Sequence, residues 1–261
     1  MKKSTKNKII VIAVVITIVL AVIVTICLSP IFNISRINVK GNKNYTNTQL
    51  SEIVNIRSGE NWFKKVAQTS KLSPKNINMC RYYDGETNVK KMCPYIKNVK
   101  VYLSGFGEYS IEVEERTKKA QISYLSSYIL IDQDGVALDI VDTAQDNLPK
   151  LNGVKLESVN LGDRLYGNQH EIDAFCKIYD FMKNSDNFYT NVDYIDLSDL
   201  KDVKMFLDGR ILIYFGSIED INQYMINYAQ EIFQNNIGKD EEGIIRFRNG
   251  KNPTFTKKSY A

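Results

Sequence analysis

Between Ile9 and Leu28 the chain reads IIVIAVVITIVLAVIVTICL, twenty residues without a charge, with Thr17 and Thr25 as its only hydroxyls. A helix rises about 1.5 Å per residue, so such a run spans about 30 Å, the hydrocarbon thickness of a bilayer. No second run of this kind follows. The stretch divides the chain into a leader (1–8), one transmembrane helix (9–28) and some 230 residues beyond it.

The flanks of the run set its orientation. Lys2, Lys3, Lys6 and Lys8 precede it, and the next basic residue is Arg36. Basic residues stay on the cytoplasmic side, which predicts a cytoplasmic N-terminus and an extracytoplasmic remainder. The run is longer than the roughly 7–15 apolar residues of a cleaved signal, and no small-x-small cleavage pattern follows it. Ile26 stands where a lipoprotein signal ending at Cys27 wants a small residue. Removing the four leader lysines from the 34 basic residues leaves 30 against 30 acidic ones. The outer part is therefore formally neutral, which does not suit a nucleic-acid surface. About 230 residues suffice for one large or two small packed domains.

After the span, Ser29-Pro30 stops the helix. FNISRINVKG predicts a strand ending at Gly41. Thr46 with Gln49 makes a capping-box pattern for a short helix that buries Leu50, Ile53 and Val54. Asn61-Trp62-Phe63 starts another helical turn. Residues 73–93 lack a period and read as an exposed insertion. KNVKVYL and YSIEVEE alternate as strands. In the later part, YILIDQDGVALDI predicts a hairpin turning on Asp134-Gly135, with Ile131 opposite Leu138 and Ile129 opposite Ile140. Residues 168–184 and 218–235 carry helical periods. VDYIDLS predicts a strand, and VKMFLDGRILIYFG a second hairpin turning on Asp208-Gly209, with ILIYF in the middle of a sheet. GIIRFR is read as the last strand, followed by a polar tail (249–261). The whole is an α+β chain with a mainly antiparallel second sheet.

FNISRINVKGNKNYTNTQLSEIVNIRSGENWF and PYIKNVKVYLSGFGEYSIEVEER resemble the POTRA domain of the FtsQ/DivIB bacterial cell-division family. The family marks are a V-x-G after the first strand, met by Val39-Lys40-Gly41, and a G-x-N-x-F, met by Gly59 to Phe63. Pro94 with Ile96 and Val99 matches a third mark. Ile111 to Arg116 matches the fourth with one extra residue before the arginine. ILIDQDGVAL, LPKLNG, Ile195 to Ser198 and LDGRILIYFG follow the same family, so the resemblance covers nearly all of residues 9–248. It implies a POTRA domain over 29–116, a second β domain over 117–248, and a bitopic scaffold of the division septum that helps control septal wall synthesis. The implied partners are bitopic proteins of the FtsB/DivIC and FtsL type, bound through the C-terminal part. A POTRA-type envelope assembly chaperone and a membrane-anchored wall hydrolase are the alternatives.

The residues give little to catalysis. His170 is the only histidine, so a Ser-His-Asp or two-histidine metal site would need substitutes. No phosphate-cradling or dinucleotide motif occurs. No acidic pair stands out as a catalytic pair, and no cofactor or metal is implied. Cys80 and Cys93, with twelve residues between them, can form a disulfide outside the membrane or remain free thiols. The site expected from the sequence is one of recognition. GIIRFR, with no later strand to cover it, would be a sheet edge able to accept a partner strand, and the resemblance carries partner binding onto Ile244, Ile245, Arg246, Phe247 and Arg248, with the preceding helix as a lesser candidate.

Overall fold

The structure is a computed structural model that describes residues 2–67, 81–166, 169–248 and 251–258. Its first element is the helix α1 (Lys2–Cys27), followed by a bond from Leu28 N to the Val24 carbonyl. The run is long and apolar enough to cross a membrane. Both hydroxyls are satisfied within it: Thr17 donates to the Ala13 carbonyl at 2.9 Å and Thr25 to the Ala21 carbonyl at 2.8 Å. Neither therefore leaves a bare donor in lipid. Ser29 extends the backbone, and Pro30–Phe32 form one 3-10 turn.

Two compact units follow from the chain contacts, Met1–Glu115 and Arg116–Ala261. In the first, β1 (Arg36–Lys40), α2 (Asn47–Val54), α3 (Trp62–Ala67), α4 (Tyr83–Met92), β2 (Ile96–Gly105) and β3 (Glu108–Glu115) succeed one another. The sheet order is β1-β3-β2, with β1 parallel and β2 antiparallel to β3. The first strand starts at Arg36 rather than Phe32, because the proline turn occupies the earlier residues. The capping box forms as expected, with Gln49 N donating to Thr46 Oγ1 at 3.2 Å and Thr46 N to Gln49 Oε1 at 2.8 Å. Gly41 ends β1 for a steric reason. Its φ is +86°, and a Cβ there would lie 1.9 Å from the Val113 carbonyl oxygen.

The larger difference is α4, which lies inside the stretch read as an exposed insertion. It packs on α2 and β2 and buries Val89, while Tyr82 before it and Cys93 after it join the core around Leu50, Val54, Val101, Tyr109 and Ile111. Cys93 is a free, buried thiol, and Cys80 lies outside the described residues.

The second unit is built on one nine-stranded sheet. Its strands are β4 (Ala120–Tyr124), β5 (Ser127–Ile131), β6 (Ala137–Val141), β7 (Lys150–Asn152), β8 (Val192–Asp196), β9 (Val203–Leu207), β10 (Ile211–Gly216), β11 (Gly243–Arg248) and β12 (Lys251–Lys257). The order across the sheet is β12-β11-β10-β9-β8-β7-β4-β5-β6. Helices α5 (Gln169–Met182) and α7 (Gln223–Glu231) supply one side of its core, with the four-residue α6 (Asp186–Tyr189) between them in sequence. Ile172, Phe175, Ile178, Ile226 and Ala229 from the helices share one cluster with Met205, Ile213 and Ile245 from the strands. On α7 the buried residues are Ile226 and Ala229. Met225 and Tyr228 are half-buried against the same cluster, and the helix runs on into a π turn at Ile232–Asn236.

The Asp208-Gly209 hairpin forms with both residues at positive φ, 53° and 67°, in a three-residue connection that closes with Leu207 opposite Ile211. The Asp134-Gly135 turn is wider than expected. The bulge beside Ile131 pairs it with Ala137 instead of Leu138, while Ile129 pairs with Ile140 as read from the sequence. Ile140 is exposed, and Leu130 and Leu138 are buried, so both faces of this hairpin carry apolar contacts. The cause is Asp132. Its carboxylate accepts from Asp134 N and Val136 N, each at 2.9 Å, and takes an ion pair from Arg116.

Candidate partner-binding edge and face

β11 is not the edge of the sheet. It pairs parallel with β10 on one side and antiparallel with β12 on the other. The open edge belongs to β12, inside the stretch expected to be a polar tail. The expected edge residues consequently divide into two sets. Ile245 is fully buried in the core, and Phe247 is half-buried with its ring stacked on Phe215 at 5.4 Å. Ile244 and Arg246 project from the opposite face, and Arg248 is exposed at the end of the strand. As a test of a surface contact, Phe247→Asp is unsuitable, since it puts a charge against the core.

Signals for β12 are present but weak. Thr254-Phe255-Thr256 alternates polar and apolar in residues that favour strands, and Pro253 confines the segment to an edge. Ladder geometry fixes what that edge offers. Lys258 N donates to the Glu242 carbonyl at 2.8 Å, and the register pairs Thr256 with Ile244 and Thr254 with Arg246. Antiparallel pairs alternate between bonded and non-bonded partners, so Phe255 and Lys257 aim their N–H groups outward. Pro253 has no N–H to aim. The edge is short, and it ends in cations: Lys257 pairs with Glu241 at 3.0 Å and Lys258 with Glu242 at 3.2 Å. The Lys257 ammonium holds the Glu241 carboxyl below the usual carboxylate range, helped by the Gly238 N–H.

The face beside the edge is ordered in rows, because directly opposed residues share a side of the sheet. One row runs Thr256, Ile244, Leu212, Phe206, Tyr194, Lys150 from β12 to β7. The next runs Thr254, Arg246, Tyr214, Lys204, Asp196. The first is apolar at its centre, where Tyr194 stacks on Phe206 at 5.2 Å. The second sets two cations on an aromatic ring: the Arg246 guanidinium lies 4.3 Å from the Tyr214 centroid and the Lys204 ammonium, which also pairs with Asp202 at 3.0 Å, lies 5.4 Å from it. Burial against its neighbours pushes the Tyr194 hydroxyl up. A groove of ≈ 380 Å³ opens between this face and the edge, lined by Phe206, Leu212, Gly243, Ile244 and Thr256. Apolar contact with a cationic margin suits an amphipathic acidic segment, and the edge suits an extended one.

A second groove, of ≈ 500 Å³, lies at the Asp134 turn and includes Arg164, Cys176, Asp180 and Lys183. Arg164 is engaged there, donating to the Asp134 carbonyl at 2.9 Å and to Asp173 at 2.5 Å. Burial pushes the Cys176 thiol up, which does not make a nucleophile. His170 is exposed at the start of α5. Among the described residues, no three His, Cys, Asp or Glu side chains converge as a metal site.

No family model matches the chain. Among curated proteins, the cell division protein DivIB of Clostridium acetobutylicum is 25% identical over 228 residues, covering 87% of this chain and 84% of that protein. The cell division protein DivIB of Clostridium botulinum (strain Hall) is 24% identical over 232 residues, covering 87% of this chain and 82% of that one. Among solved structures, the major extracytoplasmic domain of the cell division protein DivIB from Geobacillus stearothermophilus is 13% identical, with a TM-score of 0.33. The match covers 48% of this chain and 99% of that domain.

Proposed function

We propose that this chain, similar over 87% of its length to cell division proteins DivIB, is a member of the FtsQ/DivIB family and a bitopic, non-catalytic scaffold of the division septum. In this reading α1 crosses the plasma membrane with its N-terminus in the cytoplasm, and the residues after it stand outside. The scaffold binds bitopic partners of the FtsB/DivIC and FtsL type and so helps control septal cell-wall synthesis. The observation that carries the reading is the end of the second sheet. There an open β12 edge adjoins a face with an apolar row and a cationic row. A partner strand adds to Phe255 and Lys257, and an adjoining acidic segment lies on Ile244, Leu212 and Arg246. The site keeps the two outward residues of the sequence expectation and moves the pairing strand from β11 to β12.

The chaperone alternative, in which the first unit receives client strands, has less support. The outer edge of β2 is engaged at Val101, whose N–H donates to Glu86 at 2.9 Å while its carbonyl accepts from Tyr82 N at 2.8 Å.

Lys257→Pro tests the edge. It removes an outward N–H while leaving the β11 ladder bonds intact. Affinity recovery of the partner proteins from membranes is expected to fall about tenfold with Lys257→Pro and to stay near wild type with Lys257→Ala, for the loss of one or two backbone bonds at about 1 kcal/mol each. Equal recovery from both variants would remove β12 from the interface. Depletion of the protein is expected to give filamentous cells, with a tagged copy at mid-cell.

A further inference from the structure

The first unit is tied to the end of α1 by more than the chain itself. Asn61 Nδ2 donates to the carbonyls of Cys27 at 3.0 Å and Ser29 at 3.2 Å. The Cys27 carbonyl belongs to the last turn of the helix, where carbonyls have no intrahelical donor. The segment that follows is laced on two sides. Ile34 N donates to the Glu60 carbonyl at 2.8 Å and Gly59 N to the Ile34 carbonyl at 2.7 Å. Ser35 N donates to the Gly107 carbonyl, in the β2–β3 turn, at 2.7 Å. Helix end, entry segment, the loop before α3 and the β2–β3 turn are therefore joined.

At this junction sits an aromatic cluster. The Phe32 ring is 6.0 Å from Trp62, 5.1 Å from Phe63 and 5.4 Å from Phe106, and Trp62 stacks on Phe63 at 3.6 Å. Trp62 is buried, but the outer members are not: Phe106 is 67% exposed and Ile31 63%, continuing from Leu28 at 57%. Scattered single apolar residues need no explanation, but a patch continuous with an apolar helix does. Ile9 to Cys27 fill about 28 Å of helix at 1.5 Å per residue, close to the hydrocarbon thickness. Leu28 to Phe32 then fall at the level of the headgroups, where aromatic rings are favoured.

We propose that this end of the first unit is a lipid-contacting surface. Ile31 and Phe106 enter the interface of the outer leaflet through which α1 passes, and Asn61 locks helix to domain, so that the domain is seated on the bilayer at a fixed tilt. The occupant is the lipid itself, since the patch continues the surface of the helix. The proposal rests on reading α1 as a span.

Trp62, the only tryptophan, is a built-in probe. The full chain is reconstituted into phosphatidylcholine–phosphatidylglycerol vesicles whose acyl chains are brominated either near the headgroup or near the chain end. Trp62 emission is expected to be quenched by the shallow bromines and much less by the deep ones. Phe106→Glu and, separately, Ile31→Glu are expected to cut the shallow quenching about twofold or more, by expelling the patch from the interface. Both side chains are exposed, so far-ultraviolet dichroism in detergent should not change. Phe106→Ser serves as a milder variant if it does. The surface is overturned if carbonate-resistant wild-type protein shows no shallow quenching, or if the variants are quenched as strongly as wild type. Release of the wild-type chain by alkaline carbonate would instead overturn the span, and the seated domain with it.

Discussion

Arg116 is the first residue of the second unit, and its guanidinium ties the Asp134 turn together. It pairs with the buried Asp132 and reaches Asp134 at 3.1 Å. Removing one partner of a buried pair leaves the other charge uncompensated, which costs more than the pair itself contributes. Arg116→Leu is expected to destabilise the second unit by about 3 kcal/mol, seen as a lower melting temperature by circular dichroism. A change within experimental scatter would mean that the two backbone N–H donors suffice for Asp132. In the first unit, Tyr45 and Cys93 are coupled. Burial pushes the Tyr45 hydroxyl up to about 12, and burial also raises the Cys93 thiol. Folded values above the unfolded ones mean that stability is full below the unfolded values and is lost as pH rises toward the folded ones. The urea midpoint followed by Trp62 emission, which reports the first unit, is thus expected to hold at neutral pH and fall between about pH 9 and 12. Tyr45→Phe should flatten that decline, and an identical decline in the variant would assign it to other groups. Little of this was visible beforehand. The sequence marks Asp134-Gly135 as a turn, but Asp132 becomes its organiser only when Arg116 arrives from another strand end.

At the scale of elements, the legible ones were those whose evidence is local. Thr46 and Gln49 cap α2 within one turn, and Asp208-Gly209 turns a hairpin within a three-residue connection. α4 was not legible because it presents almost no apolar stripe. Its packing uses Gly85, where a Cβ would lie 2.6 Å from the Tyr82 ring and 2.7 Å from Val54, and a buried carboxylate, Glu86. Glu86 is held by Arg81 at 2.9 and 2.7 Å and accepts from Val101 N. A helix that docks by a small residue and an ion pair leaves no period to read. Glu86→Ala is therefore expected to cost about 2–3 kcal/mol, since a buried N–H and a guanidinium both lose their acceptor. Hydrogen exchange should show the Val101 amide losing protection ahead of the rest of β2, and retained protection there would deny Glu86 its role. β12 was missed for a different reason: Pro253 argues against a strand, and only an edge position excuses it. The candidate site depends on that strand and on the parallel pairing of Ile244 with Leu212, which lie far apart in sequence. Its residue types were visible in GIIRFR, but the division between core and surface was not.

For the whole molecule, the decisive asymmetry is that of charge around α1. Four lysines stand on one side of the run, and the residues beyond it are formally neutral. A lysine held near an anionic cytoplasmic leaflet is worth about 1 kcal/mol, so four bias the orientation by about 4 kcal/mol, enough to fix it nearly completely. Replacing Lys2, Lys3, Lys6 and Lys8 by glutamine should accordingly give a mixed population. The measurement is protease digestion of right-side-out membrane vesicles with a C-terminal tag. Wild-type tag is expected to be fully digested, and a substantial fraction of the variant's tag to be protected. Complete digestion of both would mean that the length and apolarity of Ile9–Leu28, together with export of the following domain, set the topology without the lysines. The seating of the first unit depends on the same placement. Protein in the inverted orientation would hold Ile31 and Phe106 at the cytoplasmic surface, where the lock through Asn61 would still form but no extracytoplasmic partner could reach β12.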